Sequence, residues 1–188
     1  MVAQGLSCAY VIADAYRHPR QYERLVLVSP PVEMLEETLP GPFGAVRKVA
    51  LRAPLTGPFV YNILTSRGAI RGYYDRQGYH NLGLITDDLV EYIYTSAHQP
   101  NANLPAASLF GGSLISDVSE PLARLQMPVI TVWGREGVLA PAGAGAAFKR
   151  VNPRIETRII DRASQHLQEE QPERFNTLIR EFAGAAIS

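Results

Sequence analysis

Ser7, His166 and one of two carboxylates, Glu33 or Glu136, are the residue types that could together cleave an acyl bond. A serine hydroxyl is a weak nucleophile until a histidine takes its proton, and the histidine needs an acid to orient it. Residues 3–9 supply small side chains at Ala3, Gly5, Ser7, Cys8 and Ala9. Other chemistries are poorly served. Cys8 is the only cysteine, so the chain can form neither an internal disulfide nor a cysteine-based zinc site. His18, His80, His98 and His166 are too dispersed to suggest a metal site. Gly111-Gly112 and the Gly143/Gly145 pair are not followed by the Lys-Ser/Thr of a phosphate loop. No cofactor and no metal are expected.

These residues need elements to position them. The chain has 188 residues, 46% hydrophobic and 19% charged, with 15 Gly and 14 Pro, a composition that excludes disordered, collagen-like and disulfide-scaffold classes. Basic and acidic residues number 18 each, so bulk charge offers no grip on a polyanion, and no aromatic–basic interleaving suggests nucleic acid. Leu25-Val26-Leu27-Val28 and Val129-Ile130-Thr131-Val132-Trp133 are continuous apolar runs, as strands covered on both faces require. Residues 154–160 alternate, as expected nearer a sheet edge. Helices are expected over 6–17, 141–150 and 172–183, and strands alternating with helices predict a parallel α/β sheet. Residues 32–112 differ, being rich in Pro, Gly and Tyr. Helices are expected there near 45–52, 58–66, 67–75 and 87–97, with Thr86 or Asp87 capping the last. This reads as a helical insertion whose tyrosines (Tyr73, Tyr74, Tyr79, Tyr92, Tyr94) either line a pocket or simply pack the insertion.

Three segments, in order, resemble the α/β-hydrolase family. Val2-Ala3-Gln4-Gly5-Leu6-Ser7-Cys8-Ala9, running through His18-Pro19 to the strand at 24–28, looks like the strand, nucleophile elbow, helix and next strand. Pro128 to Pro141, with Trp133-Gly134-Arg135-Glu136-Gly137 at its centre, looks like the strand and loop that carry the triad acid. Ile160-Asp161-Arg162-Ala163-Ser164-Gln165-His166, followed by Glu169-Glu170-Gln171-Pro172, looks like the histidine loop and final helix. The resemblance implies the C-terminal part of an α/β-hydrolase parallel sheet, with core segments 1–31 and 116–188 around an inserted helical cap at 32–115. It implies a chain that starts at the elbow, without the family's N-terminal half.

The triad positions depart from the family. In one register the elbow is Ala3-x-Gly5-x-Ser7 and Gly5 holds the nucleophile position. In the other it is Gly5-x-Ser7-x-Ala9 and Ser7 is the nucleophile. Pro19 lies 14 residues after Gly5 and 12 after Ser7. The longer spacing resembles the family's, whereas the two-residue difference would rotate the helix by about 200°. The first register is preferred, and under it the nucleophile is lost. Likewise Gly137 stands where the resemblance places the acid, leaving Glu136 and Glu33 as fallbacks unless both are merely solvated surface carboxylates. His166 matches the family histidine, and the N–H of Leu6 matches one oxyanion-hole donor.

The resemblance therefore implies an ancestral ester-type hydrolase of small apolar substrates, inactive as this chain, with the cap tyrosines and Phe110 shaping the pocket. The alternatives are an active enzyme with a shifted Ser7–His166–Glu136/Glu33 triad, and a non-catalytic module that recruits a partner strand, or a second copy, at the sheet edge formed by residues 2–4. The poor signal-peptide character of the start and the lack of a run of about 20 apolar residues lead to the expectation of a cytoplasmic protein.

Overall fold

The computed structural model describes residues 1–35, 56–110, 114, 116–139 and 141–184. The expected helix at 45–52 lies outside them. Four strands, β1 (Val2–Gln4), β2 (Leu25–Val28), β3 (Val129–Gly134) and β4 (Glu156–Ile160), form one sheet in that order. All three pairings are parallel, with Val2 opposite Val26, Val28 opposite Val132 and Gly134 opposite Ile160. The sheet is that of an α/β protein, as the alternating pattern predicts.

The apolar runs are explained by cover on both faces. Successive strand residues point to opposite sides, so β2 sends Leu25 and Leu27 one way and Val26 and Val28 the other. Leu25 and Leu27 join Ala3, Cys8, Ile12, Leu122, Trp133 and Phe148 in one core cluster. Helices Ser7–Arg17, Ser119–Arg124 and Gly145–Val151 supply its helical side. Val26 and Val28 join Ile130, Val132, Ile160 and Leu167 in a second cluster, covered by Phe175, Leu178, Ile179 and Phe182 of the last helix, Pro172–Gly184. Those four side chains recur at helical spacing and make a single stripe. Sequence periodicity does not foresee the short helices Ser119–Arg124 and Asn103–Phe110.

The chain divides into two compact units. One comprises Met1–Glu37, Gln77–Asn81 and Ser116–Ser188, and the other Thr38–Arg76 and Leu82–Ile115. The insertion is thus not one uninterrupted stretch from 32 to 115. Residues 77–81 belong with the sheet because Glu170 captures them: its carboxylate accepts the N–H groups of His80 and Asn81 at 2.7 and 2.8 Å. Residues 32–35 stay with the sheet too, as Met34 is buried in its first cluster and accepts the Val118 N–H at 2.8 Å.

The helical unit holds Thr56–Leu64, Arg67–Tyr73, Asp87–Ala97 and Asn103–Phe110. Ser66 and Thr86 cap two of these helices, accepting the N–H groups of Ala69 and Leu89. Arg67 joins two helices through a bidentate pair with Glu91 (2.6 and 2.8 Å) while lying 3.6 Å from the ring centre of Tyr94. Tyr94 in turn stacks on His98, and the hydroxyl of Tyr61 donates to the Ala97 carbonyl. Tyr94 is therefore packing, and Tyr92 is exposed. The side chain of Phe110 lies outside the described residues.

Candidate active site

Everything the sequence marks for chemistry in the sheet unit follows the C-terminal end of a strand. Open parallel sheets bind ligands there. The backbone is unusual at the same rim. Gly5 after β1, Ser29 after β2 and Arg162 after β4 have φ of 56°, 45° and 59°. Left-handed conformations at non-glycine residues are uncommon and cost energy, and they cluster at functional sites.

Gly5 forms the turn between β1 and helix Ser7–Arg17, and its N–H donates to the Val28 carbonyl at 2.9 Å. A Cβ placed on Gly5 meets nothing within 4 Å. The space beside the turn is open, while its left-handed φ would strain any side chain placed there. Leu6 follows at the helix start, where backbone N–H groups have no intrahelical acceptor. Ser7 lies in the first helical turn, not at the apex. Its hydroxyl donates to the Gln4 carbonyl at 2.6 Å and accepts the Gln4 N–H at 3.2 Å. Cys8 points into the core; burial pushes its thiol up to about 12, against partial relief from the Val28 carbonyl.

The histidine loop, residues 161–166, is built against the ends of β1 and β3. Gln4 holds it from one side: its side-chain amide donates to the Gln165 carbonyl at 3.1 Å and accepts from Gln168 at 3.0 Å. So the residue before Gly5 is bonded to the residue before His166. From the other side Glu136 makes a reciprocal clamp, its N–H donating to Ala163 O at 3.1 Å and its carboxylate accepting Ala163 N–H at 2.9 Å. That use of the Glu136 side chain is structural. Gly134 is required at the same crossing, since a Cβ there would stand 2.2 Å from the carbonyl oxygens of Ala163 and Ser164. Arg135 pairs with Asp161 across the rim and holds that carboxyl below its ordinary range.

His166 itself caps the short helix Leu167–Glu170, with its side chain 23% exposed. Its ring stacks on Tyr79, centroids 5.0 Å apart at 26°. Its Nδ1 lies 3.6 Å from Glu169 Oε1, and the other oxygen of that carboxylate accepts the Tyr79 hydroxyl. Gly137 closes the turn after β3, its N–H donating to Gly134 O at 3.2 Å. Glu33 is exposed on the turn Val32–Leu35.

Thus the geometry brings Gln4, Gly5, Glu136 and His166 into one hydrogen-bonded neighbourhood through their loops. It commits Ser7 to Gln4 and Glu136 to Ala163. Sequence reasoning missed Gln4, Glu169, Glu170 and the placement of Tyr79. The Glu169-Glu170 pair was visible only as part of a motif. A cavity of about 840 Å³ opens elsewhere, at the starts of β3 and β4 beside the last helix, and is lined by Arg24, Ile130, Arg158, Leu178 and Phe182 among others. It is at the wrong end of the sheet for His166. Among the described residues no group of three or more His, Cys, Asp or Glu side chains could hold a metal ion.

No protein-family model matches this sequence. Solved structures do match in fold. A variant of the meta-cleavage product hydrolase from Pseudomonas fluorescens IP01 superimposes over 97% of this chain with a TM-score of 0.71 at 21% identity. The 2-hydroxy-6-oxo-6-phenylhexa-2,4-dienoate hydrolase from Rhodococcus sp. strain RHA1 does so over 98%, with a TM-score of 0.71 at 15% identity. This is an α/β-hydrolase fold. A thermophilic esterase from Thermogutta terrifontis matches over 97% of the chain, with a TM-score of 0.66 at 20% identity. The chain spans 63% of the length of each of these three proteins. Among the described residues, no helix of this α/β-hydrolase-fold chain is long and apolar enough to cross a membrane.

Proposed function

We propose that this chain descends from ester-type hydrolases of small apolar substrates and does not itself form an acyl-enzyme. The observation that carries this is Gly5. It occupies the φ 56° turn between β1 and its helix, where a nucleophile would have to stand, and it has no side chain. Covalent catalysis needs an oxygen or sulfur nucleophile at that apex within reach of a base. The two nearest nucleophilic side chains are otherwise committed. The Ser7 hydroxyl is bonded to both peptide groups of Gln4, and the Cys8 thiol is buried and stays protonated. The hydrolases and the esterase that share the fold supply the ancestral chemistry. In the same reading His166 keeps the base position, Gly137 stands where an acid has been lost, and Leu6 N–H is one oxyanion donor.

The test is reaction of the purified chain with a fluorophosphonate probe and with p-nitrophenyl acetate. The expected result is no covalent adduct and no ester turnover above buffer. Labelling at Ser7 would overturn the proposal in favour of a shifted triad. So would turnover that disappears in His166→Ala.

A further inference from the structure

We propose that Glu169 is the positioning acid of His166, taking over the task for which position 137 has no side chain. The proposed function contributes only the placement of His166 at the site.

Three carboxylates that meet the histidine loop or flank it are committed in different ways. Glu136 spends its carboxylate on the Ala163 N–H. Glu170 spends both oxygens on backbone, accepting from His80 and Asn81 with one and from Ser164 at 2.6 Å with the other. Glu169 alone of the three faces the imidazole. It sits three residues after His166 in the short helix that His166 caps, and residues three apart lie on one helical face. Its Oε1 stands 3.6 Å from Nδ1, within ion-pair reach though longer than a hydrogen bond, and also accepts from Gln168 Nε2 at 3.5 Å.

The second oxygen of Glu169 is fixed by the Tyr79 hydroxyl, so the carboxylate cannot turn away from the ring without losing that bond. Tyr79 also stacks on the imidazole and is itself 6% exposed. Glu170 anchors the same segment by holding the N–H groups of residues 80 and 81. Ser164 adds a further tie, its hydroxyl donating to the Gln77 carbonyl at 3.2 Å. The arrangement therefore has three parts: an imidazole, an acid at its Nδ1, and a ring that supports both. An acid at Nδ1 favours the tautomer with the proton on that nitrogen, which leaves the basic lone pair on Nε2. Glu169 acts through His166 and touches no substrate.

The test reads the His166 tautomer directly, without substrate, from a long-range proton–nitrogen correlation spectrum of the nitrogen-15-labelled chain with the ring neutral. His166→Asn assigns the signal. The expected result is a proton on Nδ1 in the native chain, with that pattern lost to the Nε2–H form in Glu169→Ala and retained in Glu136→Ala and Glu33→Ala. Tyr79→Phe, which keeps the ring stack and removes only the hydroxyl, is expected to give a mixture. A native chain carrying the proton on Nε2 overturns the inference even if Glu169→Ala does not fold. An unchanged pattern in a folded Glu169→Ala overturns it as well. Because no esterase readout is involved, labelling of Ser7 would sink the proposed function and leave this result standing, and the reverse holds equally.

Discussion

Two adjacent small residues at the start of helix Ser7–Arg17 show how position decides reactivity. Ser7 and Cys8 are both nucleophile types, three residues or fewer from the Gly5 turn. Neither stands on the turn, and each is silenced differently: Ser7 by two bonds to Gln4, Cys8 by burial. Thiolate is the reactive species, and a thiol pushed up to about 12 supplies almost none near neutrality. Cys8 is therefore expected to resist a disulfide reagent such as DTNB at pH 8 in the native chain and to react fully once the chain is unfolded in guanidinium. Fast native labelling would mean that the packing of this helix against the sheet is loose.

At the scale of elements, the rim of the sheet depends on close approach of the β3 end to the histidine loop. Gly134 permits it, since any Cβ there would overlap two backbone oxygens at 2.2 Å. Backbone cannot rotate aside as a side chain can, so Gly134→Ala is expected to cost about 1–3 kcal/mol, the range for overpacking a filled site. Gly143, where a Cβ meets nothing within 4 Å, is the control. Gly143→Ala should stay within about 0.5 kcal/mol. Urea melts of the two variants compare these costs. If Gly134→Ala melts like Gly143→Ala, the loop is not held against β3 as described.

At the scale of the molecule, β1 is three residues long and pairs, among the described residues, with β2 alone. In a parallel pair alternate residues bond to the neighbour. Met1 O accepts from Val26 and Gly5 N–H donates to Val28, so Val2 and Gln4 turn their peptide groups away from β2. Ser7 already satisfies both groups of Gln4. Edge recruitment of a second copy or a partner strand would then rest on the groups of Val2, too few for stable pairing. The expected outcome is that Val2→Pro leaves the mass measured by light scattering unchanged, because proline is tolerated where a strand N–H faces outward. A native dimer that Val2→Pro dissolves would show that this edge recruits another chain after all.

Much of this was legible in the sequence. Apolar runs doubly covered, alternating with amphipathic helices, sufficed for a parallel α/β sheet, because burial on two faces demands continuous hydrophobicity. The order of the three motifs sufficed for the hydrolase fold that the structural matches show. Gly5 and Gly137 stood out because the motifs put them at the turn and the acid position. Periodicity could not fix which residue turns the chain, since a two-residue shift leaves small residues on both sides of either candidate; the positive φ at Gly5 separates them. Nor could it place Tyr79 on His166 or assign Glu170 to the backbone of residues 80 and 81, which are about 90 positions apart in the chain. Such contacts obey no local period. They arise only when a loop from within the insertion folds back onto the sheet and its peptide groups find a carboxylate waiting there. Residue order was enough for the parallel sheet and for the three motifs, and it left two candidates, Gly5 and Ser7, for the turn. Which carboxylate faces the histidine emerges only on folding, because it depends on which acids the backbone has already claimed.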